Sequence, residues 1–236
     1  MGNLFDKIFS IPFPDTCIVC GKPVEQHLYA CNKCRNEISY INTAFKCRTC
    51  LSFLYNAENG MCGNCLLEKP EYERLISCVK YTGRVKNSIK AYKFRNRPDY
   101  HLGFSKLACE ILDKDGDYFD AVVCMPLSKK SLKERGYNQS ALIAKRIADF
   151  FEVPFFEDLL IKTKETKRQS ELNLADRKKN IKGAFGVFNP KRINGLRILL
   201  VDDIFTSGST MREAAHTLSP HTESIIAFTI ARAQFK

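Results

Sequence analysis

The chain has 236 residues, of which 44% are hydrophobic, and its formal net charge is +11 at pH 7. This length fits one ordinary domain plus a small one, and the apolar content excludes a disordered chain. No run of about 18 apolar residues occurs, which excludes a membrane-spanning helix. The first residues lack the apolar core of a signal peptide, so we expect the protein in the cytoplasm.

The cysteines come first in chain order and are grouped in pairs. Four C-x-x-C pairs are separated by 10, 12 and 11 residues. Their members are Cys17, Cys20, Cys31, Cys34, Cys47, Cys50, Cys62 and Cys65. Two such pairs about ten residues apart are typical of a structural zinc site, in which four thiolates close a tetrahedron around Zn²⁺. A disulfide framework is the alternative, and the missing signal peptide disfavours it.

We predict two structural zinc ions. The simplest arrangement uses the first two pairs for one ion and the last two for the other, and an interleaved arrangement of the same residues stays open. Residues 1–70 have too few apolar side chains for a core of their own, so metal binding must supply much of their folding free energy. This zinc-binding domain binds a nucleic acid or a protein, or it braces the rest of the chain.

The positive charge lies mainly in residues 71–236, which we predict to form the second domain. Residues 1–70 hold only seven of the 37 Lys/Arg and six of the 26 Asp/Glu. A basic domain favours an anionic partner such as a nucleic acid, a phosphorylated metabolite or a membrane surface.

This second domain begins with a basic stretch, residues 74–97, which holds eight Lys/Arg and no acidic residue. The pattern predicts a strand over 76–81 and a helix over 85–94, with an apolar stripe of Val85, Ile89 and Tyr92 and a separate basic face. The candidate cations are Lys86, Lys90, Lys93 and Arg95. Together with neighbouring aromatic rings, they suit single-stranded nucleic acid, with phosphates on the cations and bases on the rings. A solvated helix face, with the aromatic rings in the core, explains the same pattern.

Strands and helices alternate through the remaining residues. The predicted helices cover 101–112, 137–151 and 209–218, and the predicted strands cover 119–125, 196–201 and 224–230. Buried strands that alternate with helices indicate an α/β fold with a mostly parallel sheet covered on both faces. Ligands of such sheets bind beyond the carboxyl ends of the strands.

Two adjacent acidic residues, Asp202 and Asp203, follow the predicted strand 196–201. Their mutual repulsion is offset by a metal ion or by the hydroxyl groups of a sugar, which donate hydrogen bonds to carboxylates. The small residues that follow are Thr206, Ser207, Gly208, Ser209 and Thr210. They open the next helix, where backbone N–H groups hold a phosphate. The combination predicts a ribose 5-phosphate site, and a purely structural strand–turn–helix is the alternative.

The segment VDDIFTSGST, residues 201–210, resembles the phosphoribosyl-pyrophosphate (PRPP) motif of type I phosphoribosyltransferases. The paired cysteines, RGYNQS at 135–140, Thr166 with Gln169, and the R-x-x-N-x-x-G-A-F segment at 177–185 extend this likeness, so the chain resembles the ComF family. The resemblance implies a sheet of the type I phosphoribosyltransferase type, with a small N-terminal zinc-binding domain.

The resemblance also implies the roles of individual residues. Asp202 and Asp203 would hold the ribose hydroxyls of PRPP, and residues 206–210 its 5-phosphate, with Mg²⁺ bridging ribose and pyrophosphate oxygens. The leaving pyrophosphate would meet a loop after the strand 119–125. Its cations are Lys129, Lys130 and Arg135, which stabilise departing charge.

Residues 162–182 hold eight basic and three acidic residues, and the resemblance places the flexible catalytic loop there. Such a loop excludes water when it closes, while a disordered linker explains the same composition when no substrate is bound. Arg177 and Asn180 are the residues expected to contact the ligand in the closed state.

Two classes of function remain open. One is an enzyme that transfers a phosphoribosyl group to an unidentified nucleobase or amine, with Asp202, Asp203, Arg177 and Asn180 as its catalytic residues. The other, which the resemblance favours, is a PRPP-binding protein that supports the handling of single-stranded DNA in natural transformation. In that case single-stranded DNA and other DNA-uptake proteins are its partners.

Overall fold

A computed structural model describes residues 15–25, 27–54, 60–116, 118–164, 166 and 174–233. Its centre is a sheet of five parallel strands in the order β1–β7–β6–β2–β3. These strands are β1 (Arg74–Lys80), β2 (Ala121–Cys124), β3 (Phe155–Phe156), β6 (Arg197–Phe205) and β7 (Ser224–Arg232). A separate antiparallel ribbon pairs β4 (Leu160–Lys162) with β5 (Phe185–Val187). The predicted α/β fold with a mostly parallel sheet is confirmed.

Helices cover both faces of the sheet. Two short ones, α1 (Asn32–Arg35) and α2 (Gly63–Leu67), lie among the cysteines. The others are α3 (Gly83–Phe94), α4 (Tyr100–Asp115), α5 (Lys129–Arg135), α6 (Gln139–Phe151), α7 (Leu174–Ile181) and α8 (Ser209–Leu218), with short 3₁₀ turns at Pro190–Ile193 and Ser219–His221. Side chains of α3, α4 and α6 pack on one face, and those of α8 on the other. Within the described residues, no helix is long and apolar enough to cross a membrane.

Strand β6 is longer than predicted and includes both acidic residues. Beyond the apolar run, Asp202 pairs with Thr229, Ile204 with Ala231 and Phe205 with Arg232 of β7. Strand β7 is as long as β6 and provides backbone partners for the end of β6. The hydrophobic pattern, which ends before the acidic residues, did not indicate a strand there. The backbone of both acidic residues is consequently held by the sheet.

The cysteine-rich segment shares the core of the second domain. Ile18, next to the first cysteine pair, is fully buried in the same cluster as Ile89 and Phe104. Gly103 of α4 is the contact point, since a Cβ there would lie 2.6 Å from Ile18 Cγ2 and 2.9 Å from the Thr16 carbonyl oxygen. This shared packing adds to the stabilisation of which we expected metal binding to supply much.

The segment between the second and third cysteine pairs runs beside β1. The Lys80 amide donates to the Ser39 carbonyl at 2.7 Å, and the Ile41 amide donates to the Cys78 carbonyl at 3.0 Å. These antiparallel bonds occupy backbone groups at the edge of the sheet, which otherwise invite pairing with another chain.

Candidate functional site

Asp203 is buried at the carboxyl end of β6, with 3% of its surface exposed. Lys93 of α3 lies against it, with Nζ 2.7 Å from Asp203 Oδ2. The contact is an ion pair without good hydrogen-bond geometry, because this oxygen has no partner that meets the angular requirements of a hydrogen bond. A cation from a different segment thus neutralises one of the two adjacent carboxylates.

Asp202 has different partners. Its Oδ1 accepts a hydrogen bond from Ser140 Oγ at 3.0 Å and another from the Asp203 amide at 2.8 Å. Burial, and next the negative charge of Asp203, raise the pKa of Asp202 to about 7, although Lys93 opposes the shift. The two carboxylates therefore differ in chemistry: Asp203 faces a cation, while Asp202 takes up a proton near neutral pH.

The segment RGYNQS, 135–140, positions Ser140. Gly136 ends α5 with a φ of 82°, and Asn138 caps α6 by accepting a hydrogen bond from the Ser140 amide at 3.1 Å. The Asn138 amide group also donates to the Met125 carbonyl at 3.1 Å, which ties the start of α6 to the end of β2. In the sequence, these residues were noted only because they extend the resemblance to a known family. No pattern in the sequence predicted the contact of Ser140 with Asp202.

The loop 206–210 turns directly into α8. Gly208 has a φ of 81°, and a Cβ at this position would lie 2.4 Å from Cζ of the Phe205 ring. Only glycine fits here, because both the backbone conformation and the space exclude a side chain. Ser207 Oγ and Ser209 Oγ lie 3.0 Å apart. The loop therefore presents small hydroxyl side chains at a helix N-terminus, where backbone N–H groups attract anions.

A cavity of about 1130 Å³ opens over this edge of the sheet. Asp202, Asp203, Thr206 and Thr210 are among its lining residues, whereas Ser207, Gly208 and Ser209 of the predicted phosphate loop are not. Its cationic lining residues are Lys90, Lys93, Arg95, Lys133, Arg135 and Lys162, and Glu134 is a further acidic one. A cavity with carboxylates, a helix N-terminus and several cations matches an anionic sugar phosphate in charge.

The predicted nucleic-acid residues separate into two groups. Lys90, Lys93 and Arg95 line the cavity, whereas Lys86 lies over the Tyr81 ring at 5.7 Å from its centroid. The basic face of α3 is therefore largely directed towards the site of Asp202 and Asp203. Its buried face carries Val85, Ile89 and Tyr92, as the spacing predicted.

The predicted pyrophosphate residues also separate. Arg135 lines the cavity, as does Lys133 of the same helix, while Lys129 and Lys130 are exposed and lie outside its lining. The Arg135 guanidinium lies over the Phe94 ring, 5.2 Å from its centroid, and also contacts the Gln139 side chain. The cationic part of this wall is therefore formed at the end of α5 rather than at its start.

Part of the predicted 162–182 loop lies over the cavity. Lys162, Thr166 and Ile181 of this range contribute to the lining, as does Phe185 of β5, which follows it. Asn180 is partly buried but is not among the lining residues. Gln169 and the side chain of Arg177 lie outside the described residues, so the roles of Arg177 and Asn180 stay predictions.

The eight paired cysteines form two clusters. Cys17, Cys20, Cys31 and Cys34 make the first, and Cys47, Cys50, Cys62 and Cys65 the second, with the Sγ atoms of each within 4.8 Å of one another. The Cys20–Cys31 and Cys50–Cys62 Sγ separations are 4.0 and 3.6 Å. A tetrahedral zinc–thiolate site requires about 3.8 Å, which follows from a Zn–S bond of about 2.3 Å. The residues fit zinc, and they are gathered in the sequential arrangement.

Comparison with known proteins agrees with this geometry. Residues 8–66 match the double zinc ribbon domain family, and residues 137–234 match the phosphoribosyl transferase domain family. Competence protein F of Haemophilus influenzae is 27% identical, over 92% of this chain and 90% of its own length. Competence protein ComFC of Bacillus subtilis is 25% identical, over 97% of this chain and 93% of its own length. The chain is therefore similar to proteins of the ComF family over nearly its whole length.

Other relatives of similar coverage carry a different name. The DNA utilization protein YhgH of Escherichia coli K12 is 28% identical, over 87% of this chain and 91% of its own length. Among solved structures, the glutamine PRPP amidotransferase of B. subtilis has 20% identity and a TM-score of 0.40, over 59% of this chain and 30% of that one. A score this low says nothing about function.

Proposed function

We propose that this protein binds PRPP, together with Mg²⁺, in the cavity over the carboxyl edge of the sheet. The observation that carries the proposal is the joint placement of Asp202, Asp203, Thr206 and Thr210 around a cavity that several cationic side chains also line. Carboxylates accept hydrogen bonds from ribose hydroxyls, and the start of α8 receives the 5-phosphate. The pyrophosphate is then left facing the cations of α3 and α5.

Different residues of the chain bind different parts of PRPP. Asp202, held by Ser140, is oriented towards the sugar, while Lys93 must give up part of its contact with Asp203 when a hydroxyl approaches. Lys133 and Arg135, which also line the cavity, neutralise the pyrophosphate charge. The 162–182 loop closes over the ligand and excludes water, which strengthens these electrostatic contacts.

The donor atoms at this edge fit a magnesium complex. Asp202 and Asp203 present oxygen atoms, the ligand type that Mg²⁺ takes, and Asp203 Oδ2 has no hydrogen-bond donor of good geometry. When bound with PRPP, Mg²⁺ would supply positive charge that offsets the negative charge of the ligand, and Asp202 and Asp203 are the residues that would hold it.

We further infer that PRPP binding serves the handling of single-stranded DNA in natural transformation. Support comes from the names of the relatives, competence protein F and DNA utilization protein. The cationic residues Lys90, Lys93 and Arg95 give the same region affinity for phosphates. Single-stranded DNA and other DNA-uptake proteins are the partners that this role implies.

Calorimetric titration with Mg²⁺ and PRPP tests the binding site. We expect the wild-type protein to bind and the variant Asp202→Asn/Asp203→Asn to lose at least about tenfold in affinity, since two charged hydrogen-bond acceptors are removed. Asp158→Asn is the matched control, because Asp158 pairs with Arg192 and does not line the cavity. Unchanged affinity in the double variant would show that the site has been misassigned.

An active phosphoribosyltransferase without a role in DNA uptake is the second candidate. It would use the same cavity, whose volume of about 1130 Å³ is of the order of small-molecule sites, which commonly span about 300–1,000 Å³. Incubation of the protein with Mg²⁺, PRPP and either nucleobases or single-stranded DNA distinguishes the two. Release of pyrophosphate that depends on an acceptor identifies a transferase, and PRPP binding without release identifies a binding protein.

A further inference from the structure

Arg212 joins the second cysteine cluster to the helix that begins at the phosphate loop. Its backbone amide donates to the Gly208 carbonyl at 2.9 Å, in the first turn of α8. Its guanidinium donates to Cys65 Sγ at 2.9 Å and to the Glu68 carbonyl at 2.6 Å. One residue therefore contacts both the loop 206–210 and a sulfur atom of the cluster.

Arg232 makes a second connection at the end of β7. It is buried, with 6% of its surface exposed, and its Nε donates to the Cys50 carbonyl at 2.7 Å. Its guanidinium lies 5.0 Å from the centroid of the Phe205 ring. The same ring lies directly under Gly208, where it leaves no room for a side chain. The cluster thus reaches the turn of the loop through one arginine and one aromatic ring.

Charge explains why two arginines converge on this cluster. Four thiolates around Zn²⁺ carry a formal charge of −2, and such a centre is stabilised by cations and N–H donors close to its sulfur atoms. Arg212 touches the sulfur of Cys65, and Arg232 lies beside the Cys50 backbone. With the metal bound, the guanidinium groups have a fixed anionic anchor. Without the metal, nothing holds the four sulfur atoms in this arrangement, and the anchor is lost.

The same cluster also reaches the 162–182 loop. Glu68, whose carbonyl accepts from Arg212, forms an ion pair through its carboxylate with Lys178 of α7. This pair is exposed and contributes little by itself. It nevertheless extends the path from the cluster to the helix whose last residue, Ile181, lines the cavity.

We propose that the second cysteine cluster, through Arg212 and Arg232, positions the phosphate loop 206–210, so that metal loading of this cluster sets the affinity for PRPP. The inference deepens the proposed function and rests on it. Arg212 and Arg232 act as positioning residues, since neither lines the cavity. The first cluster packs on α4 on the other face of the sheet and has no such path to the loop among the described residues.

The experiment compares the wild-type protein with Arg212→Gln, Arg212→Lys and the control Arg192→Gln, each with its metal bound. Arg192 is a suitable control because it pairs with Asp158, away from both clusters and the cavity. Affinity for Mg²⁺ and PRPP is measured by calorimetry, and zinc release is followed with a chromogenic chelator. We expect Arg212→Gln to weaken PRPP binding about fivefold and to accelerate the release of one of two zinc ions about tenfold. Arg212→Lys keeps the positive charge, so its PRPP affinity and its rate of zinc release should lie between those of Arg212→Gln and the wild-type protein.

A spectroscopic measurement on the wild-type protein tests the coupling without any substitution. Co²⁺ replaces Zn²⁺, and the thiolate-to-metal absorption bands are recorded before and after addition of Mg²⁺ and PRPP. A shift on addition, absent in Arg212→Gln, supports the coupling. Two results would overturn the coupling while leaving the proposed function intact. One is that the cobalt absorption bands stay unchanged when PRPP binds, and the other is that Arg212→Gln binds PRPP with wild-type affinity. A wild-type protein that does not bind PRPP overturns the proposed function and the coupling with it.

Discussion

Lys93 and Asp203 form an ion pair across the candidate site, with 2.7 Å between Nζ and Oδ2. The two residues belong to α3 and β6 and are 110 positions apart in the sequence. Their contact joins the basic stretch 74–97 to the acidic pair of the PRPP-like motif. Features that the sequence presented as separate, one for DNA and one for a sugar phosphate, therefore belong to one site.

Removal of Lys93 should destabilise the protein, because Asp203 would remain buried without its cation. We expect Lys93→Met to lower the free energy of unfolding by about 2 kcal/mol, less than for a fully buried pair since Lys93 is partly exposed. The double variant Lys93→Met/Asp203→Asn should recover most of this loss. Urea unfolding of both single variants and the double variant gives the coupling, and additive effects would contradict the ion pair.

Stability should fall between pH 4 and pH 7 because of Asp202. Its pKa is raised to about 7 by burial and by Asp203, whereas an unfolded Asp titrates near about 4. The folded state therefore binds more protons than the unfolded state in this range, so raising the pH costs folding free energy until Asp202 is ionised.

The free energy of unfolding is measured with urea at pH 5, 6, 7 and 8. The contribution of Asp202 to its pH dependence is the difference between the wild-type protein and Asp202→Asn. The pH-dependent loss should be smaller in the variant. Asp158→Asn is the control: its hydrogen bond with Arg192 lowers the Asp158 pKa, so its contribution is lost only at more acidic pH. Parallel pH profiles for wild type and Asp202→Asn would show that the raised pKa is absent.

Gly208→Ala should damage both folding and PRPP binding. The new Cβ would meet Phe205 Cζ at 2.4 Å in a backbone with a φ of 81°. Gly116→Ala is a matched control, with a φ of 73° and no atom within 4 Å. We expect the control to lose about 1 kcal/mol for the backbone conformation, and Gly208→Ala to lose about 1–3 kcal/mol more for overpacking. Equal losses in thermal unfolding would mean that the Phe205 contact is unimportant.

Metal analysis should find two zinc ions per chain, because each cluster provides four thiolates. The double variant Cys17→Ser/Cys31→Ser should retain one ion, since both residues belong to the first cluster. In contrast, Cys17→Ser/Cys47→Ser should lose both. An interleaved arrangement of the first pair with the third would reverse these two results.

Single-stranded DNA should bind with a strong dependence on salt, and Mg²⁺ with PRPP should weaken it, because Lys90 and Arg95 line the same cavity. Lys90→Gln/Arg95→Gln should reduce both the affinity and the slope of log K against log salt, by about 0.7 per lost phosphate contact. The control is Lys114→Gln/Lys145→Gln, which removes two exposed cations paired on α4 and α6. Fluorescence anisotropy measures the affinity and its salt dependence. Equal losses of DNA affinity in the two double variants would indicate nonspecific attraction of DNA to a basic protein.

Local patterns predicted most of the fold. The stripe of Val85, Ile89 and Tyr92 is buried as expected, and the predicted helix 209–218 matches α8. The spacing of the cysteines predicted both clusters, since each ligand set is contained in a short segment. These features depend on neighbours in the sequence and on the hydrophobic effect.

The sequence by itself determined which chemical groups this protein holds: eight thiolates in pairs, two adjacent carboxylates, a small-residue loop before a helix, and a basic stretch. The tertiary structure decided which of them meet. It extended β6 through both carboxylates by pairing with β7, set Lys93 against Asp203 and Ser140 against Asp202, and brought Arg212 to Cys65. Such contacts join residues far apart in the chain. Their partners are fixed by strand order and helix packing, which no local pattern of residues encodes.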